Sequence, residues 1–271
     1  MTTRRLMLIT GASAGIGAEF ARQYAAKGWD VALTARRLDR LDALATELED
    51  RYSISALTIA ADLADPGAID TILAGREAAG RHADGLVNNA GYGLPGTFFN
   101  TSWDDQADFI RVLFTAPIEL THKLLPGMVE RNYGRIINVA SLAGYTPGSN
   151  GHTLYASVKS GLIKFSESIH AEAHAAGHNI HCTALCPGFT WSEFHDVNGT
   201  REKTNQMPSW MWMQAEPVVA AGISACRRGQ PVAVPGAVNK GLATLTRLLP
   251  EPIGRAMVNK QSKSFRDAGE G

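Results

Sequence analysis

Seven short apolar runs punctuate this chain, at residues 6–10, 31–35, 55–60, 85–88, 135–140, 179–185 and 231–234. The stretches between them carry apolar residues at helical spacing. Strands that alternate with helices imply βαβ units and a parallel sheet, because parallel neighbours need a crossover long enough to hold a helix. Right-handed crossovers then place helices on both faces. The expected fold is α/β, a single doubly wound parallel sheet of about seven strands, and 271 residues suit one such domain. Residues 1–235 are expected to form it. Residues 236–271 read as an amphipathic C-terminal extension rather than a second domain. In open parallel sheets ligands bind beyond the carboxyl ends of the strands. Gly11, Asn88, Ser141 and Pro187 all fall at such ends.

The first strand runs into a glycine turn. Gly11, Gly15 and Gly17 follow Thr10 and precede a helical pattern. Glycine allows a tight turn and close backbone approach, and a helix N-terminus presents unpaired N–H groups to phosphate. Such a turn alone is weak evidence, since many strand-to-helix turns contain glycine; its place between the first strand and the first helix strengthens it.

A second signal lies past the fifth run. Leu154, Val158, Leu162, Phe165 and Ile169 mark a helix over 154–177, so Tyr155 and Lys159 share one of its faces. A cation beside a phenol favours the ionised phenol and lowers its pKa, which suits a general acid or base. Tyr-x-x-x-Lys is common on amphipathic helices, so its weight comes from the motifs upstream of it.

The composition closes off other classes. With 26 basic and 26 acidic residues the net charge is zero, and no nucleic-acid partner is expected. Cys182, Cys186 and Cys226 give no paired framework and read as small buried residues in a reducing compartment. Cys182 and Cys186 share a strand face, yet no histidine or further cysteine completes a metal site, so no metal is expected. The apolar run after Arg4 and Arg5 stops at Ile9, too short for a signal segment. No run approaches the ~18 residues of a membrane span. The expectation is a cytoplasmic protein that does not cross a membrane.

Thr10-Gly11-x-x-x-Gly15-x-Gly17, Asn88-Asn89-Ala90-Gly91, Ser141, Tyr155-x-x-x-Lys159 and Pro187-Gly188 occur in that order. Together they resemble the short-chain dehydrogenase/reductase family over roughly residues 5–235. The resemblance implies a Rossmann domain that moves a hydride between a nicotinamide dinucleotide and a carbonyl or alcohol. It implies that Tyr155 gives or takes the proton, that Lys159 lowers its pKa and holds the nicotinamide ribose, and that Ser141 donates to the substrate oxygen. It assigns Gly11, Gly15, Ile16 and Gly17 to the cofactor's phosphate side, and Asp62, Leu63, Asn89, Ala90 and Gly91 to its adenine side. Pro187, Gly188, Thr190 and Ser192 are assigned to its nicotinamide end. A homodimer or homotetramer is expected with it.

An acidic residue after the second strand would bind the ribose 2′-hydroxyl of NAD. This chain offers Ala35, Arg36 and Arg37 there instead, with Ser13 as a further phosphate contact. Guanidinium matches phosphate with paired hydrogen bonds, so NADP(H) is expected over NAD(H). The alternative is that these arginines only open a solvated helix. Asp62 has a second reading too, in the N-cap region of the helix before which Pro66 stands.

One position departs from the family pattern: Leu113 stands where many members carry an asparagine that supports a water in the proton relay. The gap from Ser141 to Tyr155 also looks one residue longer than usual, an extra residue assigned to the loop 144–151. The resemblance implies a lid over the substrate near 189–216; Phe189 and Met207, Trp210, Met211, Trp212 and Met213 in it suit a bulky apolar carbonyl or alcohol or else pack against their own domain or a second subunit. The amphipathic, basic tail is expected to pack across this lid or a neighbouring subunit in preference to a membrane surface. His195 either lines the pocket or is solvated. Two rival functions stand beside the main one. A 3-oxoacyl thioester reductase would use Arg201 and Lys203 at the pocket mouth. An NADP-binding regulatory or scaffold protein would have lost turnover.

Overall fold

In the computed structural model, residues 4–94, 96–148, 153–193 and 208–248 are described. Every apolar run expected to be a strand is one: β1 (Leu6–Thr10), β2 (Asp30–Ala35), β3 (Ala56–Ala60), β4 (Gly85–Asn88), β5 (Gly134–Val139), β6 (Ile180–Leu185) and β7 (Val232–Ala233). They form one sheet in the order β3-β2-β1-β4-β5-β6-β7. All six neighbouring pairs are parallel. The chain winds outward from β1 to β3 and then returns to build from β4 on the other side. That reversal opens a crevice between β1 and β4, where ligands bind in such sheets.

The crossovers are α1 (Gly15–Ala25), α2 (Leu38–Tyr52), α3 (Ala68–Ala78), α4 (Trp103–Ile110), α5 (Ala116–Glu130), α6 (Thr153–Ala175) and α7 (Ala215–Arg227). A last helix, α8 (Ala237–Leu248), follows β7. Helices cover both faces. Phe20, Leu41, Leu48, Val218 and Val219 of α1, α2 and α7 pack on Ile9, Val31 and Leu33 from one side. Ile69, Phe109, Leu120 and Met128 of α3, α4 and α5 pack on Leu8, Leu86 and Ile136 from the other. Covered on both faces, β1 is buried at every residue, which is why it reads as an apolar run and not as an alternation. Each large side chain so buried contributes about 1.5–3 kcal/mol.

One polar ladder crosses this apolar interior. Asn88 and Asn138 are register partners on β4 and β5. The Asn88 amide donates to Asn138 Oδ1 at 2.8 Å, and the Asn138 amide donates to Ser166 Oγ of α6 at 2.8 Å. Asn88 therefore turns inward, 3% exposed, and ties the sheet to the helix that carries Tyr155 and Lys159.

Candidate active site

The strand ends converge as expected. Thr10 closes β1, and its hydroxyl accepts from the backbone N–H groups of Asn89 and Ala90, both at 3.0 Å. The Asn89 amide donates back to the carbonyls of Thr10 (3.0 Å) and Gly11 (3.1 Å). These bonds clamp the glycine turn to the end of β4. Gly11 has φ +66°, and a Cβ there would stand 2.8 Å from Ala90 Cα, so no other residue fits without moving the strand. A Cβ on Gly17 would collide with the Gly11 carbonyl. Helix α1 then starts after Ala14 with no side-chain cap and no acidic residue in its first turn. Its first N–H groups and dipole are left to an anion. The tight turn and the uncapped helix fit the pyrophosphate of a dinucleotide. Ile16 and Gly17 lie in that first turn.

At the end of β2 the arginines part company. The Arg36 side chain is 72% exposed, and its guanidinium lies 3.8 Å from Asp62 Oδ2. Arg37 turns the other way, donating to Ser13 Oγ at 3.1 Å and to Glu193 Oε2 at 3.2 Å. Asp62 follows β3 and accepts from the Ala64 N–H at 3.1 Å, closing a turn, while Gly67 takes the N-cap of α3. Leu63 is buried beneath.

Ser141, Tyr155 and Lys159 meet at the end of β5. Ser141 caps a 3-10 turn over Leu142–Tyr145, its Oγ accepting from the Ala143 N–H at 3.1 Å. Its side chain also hydrogen-bonds the Tyr155 phenol. Lys159 lies one turn further along α6, 6% exposed, with Nζ 5.8 Å from the centre of the Tyr155 ring. Nζ donates to the Val139 carbonyl at 2.8 Å. Gly144 sets the spacing between turn and helix: a Cβ there would stand 3.0 Å from the backbone of Lys159 and Ser160. Sequence reasoning passed over Gly144, although a glycine just after the catalytic serine candidate was the available signal.

The electrostatics differ from the sequence expectation. Burial pushes the Tyr155 phenol up, against the smaller, opposite effect of the Ser141 hydrogen bond, although an edge of the residue reaches solvent. Burial lowers Lys159 to about 8. Desolvation penalises either charged form, and the ammonium is drawn to a carbonyl instead of to the phenol oxygen. The pair holds a protonated phenol beside a poorly solvated cation.

The π-helical turn Arg111–Thr115 joins α4 to α5, with the Ala116 N–H reaching back to the Arg111 carbonyl. Leu113 lies in it, 1% exposed. A Cβ on Gly91 would stand 3.5 Å from Leu113 Cγ, an ordinary contact. Leu113 is thus core packing under the NNAG strand end. An asparagine there would bury an amide within the apolar cluster on this face of the sheet. Leu113→Asn is expected to lower stability by about 2–4 kcal/mol with no gain in turnover. Melting temperature and kcat measured on the same preparation check this.

Aromatic rings surround the phenol: Phe109 lies 6.4 Å from Tyr155, and Tyr92 meets Phe109 edge-on at 5.5 Å. Beyond β6, Gly188 is crossed closely by Asn239 of α8, which donates to the Pro235 carbonyl at 2.9 Å. Thr190 is buried and bridges Met213; its Oγ1 donates to the Gly188 carbonyl at 3.2 Å, and Ser192 Oγ lies 3.5 Å from the Thr190 carbonyl. Trp212 is the inward tryptophan, stacked on Trp191 at 4.2 Å and 5.4 Å from Phe189. Trp210 is 64% exposed, on a 3-10 turn. Met207, His195, Arg201 and Lys203, part of the loop 144–151, and the extension past 248 lie outside the described residues. Among the described residues no cluster of three metal-ligating side chains occurs, and no helix is long and apolar enough to cross a membrane. The three cysteines are buried and form no disulfide.

A family model for short chain dehydrogenases matches residues 5–203. Nodulation protein G of Rhizobium sp. (strain N33) is 37% identical over 201 residues, covering 74% of this chain and 79% of that protein. NADP-dependent 3-hydroxy acid dehydrogenase YdfG of Shigella flexneri is 35% identical over 208 residues, covering 74% of this chain and 81% of that one. A short-chain dehydrogenase from Sphingobium yanoikuyae in complex with NADPH superposes with a TM-score of 0.76 at 28% identity, over 91% of this chain and 96% of that chain. With the glycine turn, the NNAG strand end and the Ser–Tyr–Lys trio on one sheet edge, the chain belongs to the short-chain dehydrogenase/reductase family. It is an oxidoreductase of that family.

Proposed function

We propose that this protein is an NADP(H)-dependent carbonyl reductase, reversible to an alcohol dehydrogenase, for an apolar substrate. The observation that carries the reading is the Ser141–Tyr155 hydrogen bond, with Lys159 one helical turn away, beside the glycine turn. The bound reduced nicotinamide supplies the hydride; the chain must orient the substrate and manage one proton. Tyr155 gives its phenolic proton to the carbonyl oxygen as that oxygen gains charge. Its raised pKa keeps that proton in place through neutral pH. The Ser141 hydroxyl, on the same side, donates to the same oxygen and stabilises the developing negative charge. Lys159 offers a cation to the phenolate left behind, and does so while it stays protonated, below about 8. Phe109, Tyr92 and the Phe189–Trp212 pair supply apolar walls that favour a bulky substrate. In this reading residues 189–193 and 208–216 cover the substrate, α8 braces them through Asn239 on Gly188, and the chain works as a homodimer or homotetramer in the cytoplasm.

The preference for the 2′-phosphate rests on Arg36, Arg37 and Ser13 at the end of β2, where the chain itself offers Ala35, Arg36 and Arg37 in place of an acidic residue. A charge-assisted bond to phosphate is worth roughly 1.5–3 kcal/mol, about ten- to a hundredfold in affinity. Arg36→Ala should therefore weaken NADPH binding by about that factor and leave NADH nearly unchanged. Fluorescence titration of both nucleotides reads this directly. Tighter binding of NADH than NADPH by the wild type would sink the preference.

A further inference from the structure

Two guanidiniums of the β2 corner are already engaged by one carboxylate. Arg37 and Arg40 stand close together at the start of α2, and both guanidiniums converge on Glu193. Arg40 Nη1 donates to Glu193 Oε1 at 2.8 Å and to Oε2 at 2.9 Å. Arg37 Nη2 donates to Glu193 Oε2 at 3.2 Å and to Ser13 Oγ at 3.1 Å. Glu193 arrives from the opposite side of the crevice, after β6. Its approach is set by backbone bonds: the Trp191 N–H donates to the Met213 carbonyl, and the Met213 N–H to the Phe189 carbonyl, both at 2.9 Å. A Cβ on Gly15 would stand 2.9 Å from Ser192 Cβ, so this segment also touches the glycine turn. An anchored segment of chain thus delivers one negative charge to Arg37, one of the donors that the reading above gives to a 2′-phosphate, and to its neighbour Arg40.

We propose that Glu193 is a cofactor-discriminating residue: its carboxylate competes with the 2′-phosphate for Arg37 and Arg40. The inference rests on the NADP(H) reading. A ribose 2′-phosphate carries a charge of about −1.5 to −2 and three acceptor oxygens. It cannot share those donors with a carboxylate in contact with them, because like charges at that distance repel. A 2′-phosphorylated dinucleotide must displace Glu193, whereas an unphosphorylated one leaves it in place. Glu193 therefore weakens NADP(H) selectively and narrows the preference that the arginines create. Arg40, which the sequence reading did not single out, joins Arg37 as a phosphate ligand once the carboxylate leaves. Each of these side chains is about two-fifths exposed, so solvent screens the pairs and the competition is moderate.

Titrations of wild type, Glu193→Gln and Arg37→Ala with NADPH and with NADH test this. Glutamine keeps the size of glutamate and removes its charge at an exposed position, so folding is preserved. Glu193→Gln should tighten NADPH binding about three- to tenfold, the scale of losing one exposed ion-pair network, and should leave NADH within about twofold. Unchanged or weaker NADPH binding by Glu193→Gln, with Arg37→Ala still impairing NADPH, overturns the role of Glu193 alone. That outcome would mean that the carboxylate preorganises the arginines or is indifferent to them. If Arg37→Ala also leaves NADPH binding intact, the phosphate site itself is misassigned and both readings fall.

Discussion

Tyr155→Phe should lose about 10²- to 10⁴-fold in carbonyl reduction while NADPH binding stays within a few-fold of wild type. The factor is what a positioned general acid contributes. Phenylalanine keeps the ring that packs 6.4 Å from Phe109 and removes the hydroxyl bonded to Ser141. Loss of one hydrogen bond costs about 1 kcal/mol, so the variant should fold. A matched fall in kcat and kcat/KM would mark an interaction made only in the transition state. Loss of NADPH binding instead would move Tyr155 from proton transfer to cofactor support. Near-normal turnover would remove it from the mechanism.

Lys159→Met should cut turnover by about 10²-fold or more and yet stabilise the protein at pH 7. Burial lowers the ammonium from its ordinary 10.5 to about 8, which corresponds to roughly 3 kcal/mol spent on holding the charge. Methionine is similar in length and apolar. It forfeits the bond to the Val139 carbonyl, about 1–2 kcal/mol, so a net gain of about 1–2 kcal/mol and a few degrees in Tm is expected. The pH dependence has a definite sign. Between about 8 and 10.5 the unfolded lysine binds more protons than the folded one, so wild-type stability rises with pH across that window relative to Lys159→Met. Below about 8 the difference is constant. In the wild type, kcat/KM for reduction should decline as pH rises through about 8, where the free enzyme loses the lysine charge. A Lys159→Met variant less stable than wild type at pH 7 would contradict the buried-charge account.

How much of this was legible in the sequence follows from what each feature depends on. All seven strands matched their apolar runs within one residue at either end, and those covered on both faces, such as β1, must be apolar throughout. β7 is two residues where four were expected, since an edge strand with one neighbour needs less apolar length to look like a strand than to pair as one. The Tyr155–Lys159 face was legible from helical spacing. Their proton affinities were not, since these depend first on burial, which no local pattern encodes. The π-helical turn at Arg111–Thr115 was hidden because its residues keep ordinary helical composition. Glu193 and Arg40 lie 153 residues apart and meet only because β6 and the corner after β2 open onto the same crevice. Among the clustered tryptophans and methionines, composition did not say that Trp212 turns in and Trp210 out.

The central claim is that the Ser141–Tyr155–Lys159 corner reduces a carbonyl with NADPH. Its most direct test is single-turnover oxidation of NADPH by excess wild-type enzyme with a panel of carbonyls graded in size. The account predicts loss of reduced-nicotinamide absorbance matched one-to-one by alcohol, fastest with bulky apolar ketones or aldehydes and slowed at least a hundredfold by Tyr155→Phe. Tight NADPH binding with no oxidation by any member of the panel would contradict it, and would mark a protein that binds the nucleotide without turning over.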